Sequence, residues 1–85
     1  MQIFVHDLGF SKRRAEEILT RILLKFSQSV EKVGDSIVCE KPEIFVCFEE
    51  KGSEFSIPRT EVRIICSEDV HEKIAEAIML SAAGG

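Results

Sequence analysis

Residues 57–85 run from one strand straight into one capped amphipathic helix, and that succession limits the chain to folds in which a helix lies back on a sheet. In residues 60–66, Val62, Ile64 and Cys66 alternate with Glu61 and Arg63, so one face of the strand is apolar and the other charged. Asp69 follows as a carboxylate able to cap a helix, with Glu72 completing a capping box. Val70, Ile74, Ala77, Ile78 and Ser81 then trace the stripe that must be covered. Gly84 would stop the helix in the left-handed conformation that glycine adopts without strain.

The first half supplies what that unit needs. Residues 2–6 alternate as a strand, Leu8-Gly9-Phe10 turns the chain, and Ser11 offers a hydroxyl that caps a helix. Ala15, Ile18, Leu19, Ile22, Leu23 and Phe26 recur at the spacing of one helical stripe, the strongest periodicity in the chain. Short β-rich runs follow at residues 30–33, 37–40, 43–48, 55–57 and 60–66. Gly34-Asp35 predicts a tight hairpin whose first central residue has positive φ, and Glu50-Lys51-Gly52 predicts a hairpin ending in a left-handed glycine. Pro42 keeps residues 41–43 out of a central strand. Residues 44–48 are apolar on both faces, which predicts a central strand covered on each side. The expected fold is one α+β domain over residues 1–85, a ferredoxin-like split β-α-β sandwich. Two helices lie on one face of an antiparallel sheet that lacks its last strand.

A chain of 85 residues is close to the size at which one core just suffices, so oligomerisation would help it. The apolar opening is cut short by His6 and Asp7, which excludes a secretory signal. Residues 15–26 are interrupted by charges, so no membrane span is expected and the protein is expected to be cytoplasmic. Cys39, Cys47 and Cys66 are odd in number and sit in β-branched runs, the pattern of buried reduced thiols. No close Cys or His pair offers a metal site, and His6 or His71 would have to be recruited from afar.

Lys12-Arg13-Arg14 begins a helix, the end at which cations oppose the helix dipole, and so invites a ligand such as phosphate or a carboxylate. Nucleic acid is disfavoured by the net charge of −4 and the lack of interleaved aromatics. Glu40, Glu43, Glu49, Glu50 and Glu54 read as a solvated sheet edge. His6 and Asp7, adjacent on a strand, point to opposite faces and do not cooperate. No nucleophile motif or phosphate loop accompanies them, so neither an enzyme nor a cofactor is expected. Gly84-Gly85 and the opening MQIFV are similar to ubiquitin-like sulfur carriers, although there the tail follows a strand and here a helix.

The order of Pro58-Arg59, Val62-Arg63-Ile64-Ile65, Ser67-Glu68-Asp69, Glu72-Lys73-Ile74-Ala75-Glu76-Ala77-Ile78 and Ala82-Ala83-Gly84 resembles the nitrogen-regulatory PII family and its PII-like relatives. That resemblance implies ferredoxin-like regulators that form trimers. It sets Arg59 where the family has a lysine that can pair with a ligand carboxylate; arginine keeps the charge and changes the fork. The family's long mobile loop, nucleotide loop and fourth strand have no counterpart here, so nucleotide binding in its manner is not expected. The expected function is a non-enzymatic regulatory or protein-interaction module, self-associating through sheet edges as a homo-oligomer or engaging a protein partner. The alternatives are a sensor of a small anion or nucleotide using Arg59 with Lys12, Arg13 or Arg14, a diglycine sulfur carrier, and a nucleic-acid-binding module.

Overall fold

The structure, a computed structural model, describes residues 1–54 and 56–83. Its elements are β1 (Gln2–Leu8), α1 (Lys12–Phe26), β2 (Ser29–Val33), β3 (Ser36–Glu40), β4 (Ile44–Glu54), β5 (Ile57–Cys66) and α2 (Glu68–Ala83). The strands form a five-stranded antiparallel sheet in the order β1-β5-β4-β3-β2. β2 to β5 follow one another as a meander. α1 carries the chain from β1 at one edge to β2 at the other.

Both helices cover the same face. Leu19 and Leu23 of α1 and Ile74 of α2 are fully buried over Ile37, Ile44, Val46, Val62 and Ile64, which the strand registers place on one side of the sheet. Each such side chain contributes about 1.5–3 kcal/mol by leaving water. Thr60 is buried in the same layer, and its hydroxyl donates to the Phe10 carbonyl at 2.8 Å, tying β5 to the turn before α1.

The helix signals translate directly at α1: the Ser11 hydroxyl accepts the Arg14 N–H at 3.2 Å, as a cap should. At α2 the cap is displaced. The Ser67 hydroxyl accepts the Val70 N–H at 3.4 Å, so Ser67 precedes the first turn and Asp69 lies within it beside Glu68, where both carboxylates favour the helix dipole. The β2–β3 turn is the expected two-residue loop, with Val33 opposite Ser36 and Gly34 at φ 60°.

The second expected hairpin is not at residues 50–52. β4 continues to Glu54, and Gly52 at φ 83° sits in an irregularity between the Glu50 and Ser53 pairings, a bulge that absorbs one turn-like glycine without ending the strand. The run expected at residues 55–57 begins outside the described residues and ends in β5. Gly84 and Gly85, expected as a helix stop or a reactive tail, also lie outside them. Residues 44–48 do form the central strand, but among the described residues only one face of it is covered: Phe45 on the other face is 37% exposed. Cys39 and Cys66 are buried as expected, and burial pushes both thiols up from their ordinary range. Cys47 instead lies half-buried on the uncovered face, near the Ser36 hydroxyl at 3.7 Å. Among the described residues no helix is long and apolar enough to cross a membrane.

Candidate interaction surface

Residues directly opposite in neighbouring strands share a face, so the registers define rows across the uncovered side of the sheet. Ile3, Ile65, Phe45 and Val38 make one row across β1, β5, β4 and β3. Val5, Arg63, Cys47 and Ser36 make the next, and Asp7, Glu61 and Glu49 the third. Ile3 is 65% and Val5 56% exposed, so an apolar band starts at the β1 edge and runs beside a charged one.

The charged band brings three carboxylates side by side, which alone would be repulsive. Cations answer them. Arg63 lies 2.8 Å from Glu61 and 3.6 Å from Glu49, Lys51 lies 3.3 Å from Glu49, and Arg59 lies 3.3 Å from Asp7. The Oε2 atom of Glu61 is buried without an aligned hydrogen bond, so it is held by the charge of Arg63. A depression of about 300 Å³ between Cys47, Glu49, Glu61 and Arg63 belongs to this network. Three acids and three bases leave the band neutral.

The basic residues singled out from the sequence divide between two layers. Arg59 stands on the uncovered face with Asp7, whereas Lys12, Arg13 and Arg14 belong to α1 on the opposite side. Lys12 meets Asp35 of the β2–β3 turn at 3.1 Å. Arg13 and Arg14 both approach Glu17, at 3.8 and 3.5 Å. The cluster that opposes the α1 dipole thus has a carboxylate brought from a distant turn, which no local pattern announces. A groove of about 390 Å³ beside Arg13 also holds Arg21 and Lys32, together with Glu16 and Glu17, so its charge is mixed.

His6 and Asp7 point to opposite faces, as expected. His6 meets instead a residue that sequence reasoning does not join to it: its Nε2 lies 2.8 Å from Nε2 of His71 on α2. Burial, and then the neighbouring His71, hold the His6 pKa below the ordinary imidazole value.

The two sheet edges differ in chemistry. β2 is short and carries Glu31 and Lys32, features that discourage pairing. β1 has seven residues, and from Gln2 to Val5 it carries no charge, proline or lysine. The carboxylate further along this edge, Asp7, is engaged by Arg59.

Fold and surface together define an α+β protein with one sheet face packed by helices and the other presenting an apolar band that reaches an unblunted edge. The chain belongs to a family of uncharacterised proteins, whose model matches residues 19–85. A relative from Archaeoglobus fulgidus, itself described as an uncharacterized protein, is 34% identical over 83 residues, spanning 94% of this chain and 96% of its own. No solved structure matches the chain significantly.

Proposed function

We propose that the chain is a non-enzymatic interaction module that assembles with a second copy by pairing their β1 strands edge to edge. The observation that supports this most is the contrast between the edges: β2 is guarded by charge, and β1 offers an uncharged run of backbone donors and acceptors flanked by exposed Ile3 and Val5.

A second copy suits that edge because the strand is complementary to itself. In an antiparallel pair with Phe4 on the two-fold axis, Ile3 stands opposite Val5 of the second copy and Gln2 opposite its His6. Apolar meets apolar, and no charge meets its like. Moving the axis to Val5 would set Asp7 against Ile3. The paired sheets would carry the band of Ile3, Ile65, Phe45 and Val38 twice over, a surface on which the regulatory role would rest.

A ferredoxin-like class, and kinship with the PII family, are part of this proposal. Two helices on one face of an antiparallel sheet and the β5–α2 unit support them, and β1 at the sheet edge is the feature such kinship has to accommodate. The sensor reading has less support, since an anion at Arg59, Lys12, Arg13 or Arg14 would have to displace Asp7, Asp35 or Glu17.

Light scattering over a concentration series tests the reading. The wild type should reach the mass of a dimer, and Val5→Lys, which places a cation on the exposed edge opposite Arg63, should stay monomeric with its helical signal intact. A wild type that is monomeric at the highest concentration would remove the proposal.

A further inference from the structure

We propose that His6 and His71 form a latch, sharing one proton between their Nε2 atoms, that fastens α2 to the edge strand β1 and opens when each Nε2 carries a proton of its own. The geometry carries this. The two Nε2 atoms are 2.8 Å apart while the ring centroids are 5.0 Å apart, so the nitrogens lie between the rings and point at one another. Two bare imidazole nitrogens would repel, and so would two N–H groups; one ring must donate and the other accept. Lone pairs aimed along one line do not converge on a third point, and the arrangement therefore holds a proton rather than a chelated metal ion.

The latch has a backing. His71 stacks on Phe4 with ring centroids 3.7 Å apart and planes only 4° from parallel, which fixes the imidazole against β1. The groups facing the pair leave it little help from other charges. On β1 the same side bears Gln2, Phe4 and Leu8, none ionisable. On β5 it bears Thr60, Val62, Ile64 and Cys66, of which Cys66 alone titrates, and only at high pH. On α2, Glu68 lies one turn before His71 and Glu72 beside it, both exposed, and among the described residues neither ring has an ion pair with a carboxylate.

The direction of the pH effect follows from burial. His6 resists protonation in the folded protein, so the unfolded chain takes the proton first as pH falls. The latch is fully formed above the unfolded imidazole value of about 6.5, and its stabilisation is lost as pH falls through the lower folded value of His6. This inference stands whether or not β1 pairs with a second copy. If it does, acid loosens the layer directly behind the docking edge.

Nitrogen-resolved NMR of the histidine rings in the wild type tests the shared proton. At about pH 7.5 one ring should carry Nε2–H and the other a bare Nε2, and the His6→Gln and His71→Phe variants should each abolish that complementarity. Two rings in the same tautomer would overturn the proposal. Amide exchange tests the opening: between about pH 7.5 and 5.5, after correction for intrinsic rates, α2 should lose about tenfold in protection relative to α1. That relative loss should vanish when both substitutions are combined, since the phenyl ring brought in by His71→Phe can still stack on Phe4 but cannot take up a proton. An equal loss in the wild type and the double variant would overturn the latch even if both proteins remain folded.

Discussion

Thr60 is the one fully buried polar side chain among the described residues, and its hydroxyl is satisfied by a single carbonyl, that of Phe10. Thr60→Val keeps the shape and removes the donor, so urea unfolding should show a loss of about 1–2 kcal/mol, the cost of an unpaired carbonyl plus the missing bond. Ser11→Ala should cost about 1 kcal/mol by leaving the Arg14 N–H without its cap, read by the same measurement. The Ser11 cap is legible in the sequence because a cap is a local pattern. The His6–His71 contact is not, since 65 positions separate its partners and nothing in either neighbourhood marks the other. The same holds for Lys12 and Asp35, which meet only because the β2–β3 turn folds back to the start of α1.

At the scale of elements, α1 is readable from its stripe alone, because Ala15, Ile18, Leu19, Ile22 and Leu23 are the residues the structure buries. Leu19 is fully buried at the contact of α1 with the sheet, and Leu19→Ala should lower stability by about 2–5 kcal/mol. That is a large share of what a domain this small possesses, so a folded fraction measured by circular dichroism should fall sharply. α2 is readable in type but not in its first residue, since Ser67 and Asp69 are both good caps and only the route of the chain out of β5 selects Ser67. The length of β4 is hidden for a different reason. A left-handed glycine serves a hairpin and a bulge equally, and Gly52 belongs to a bulge. Gly52→Ala would force a side chain into φ near 83°, and a loss of about 1–2 kcal/mol in urea unfolding is expected although nothing crowds the site.

For the whole molecule, the sequence announces two helices on an antiparallel sheet but not the strand order, because pairing of β1 with β5 is a long-range choice made by packing. It also announces apolar residues on both faces of the central strand, and the structure leaves one of those faces uncovered beside an edge with no charge from Gln2 to Val5. The central claim is that this edge pairs with itself. In a lone edge strand, only alternate backbone amides of β1 are bonded, to β5, and the others face water. Residue-resolved hydrogen exchange of β1 at high and low protein concentration is therefore the most direct measurement. The account predicts protection at consecutive amides from Ile3 to Val5 at high concentration, relaxing to alternate protection on dilution and in Val5→Lys. Alternate protection unchanged by concentration would contradict it.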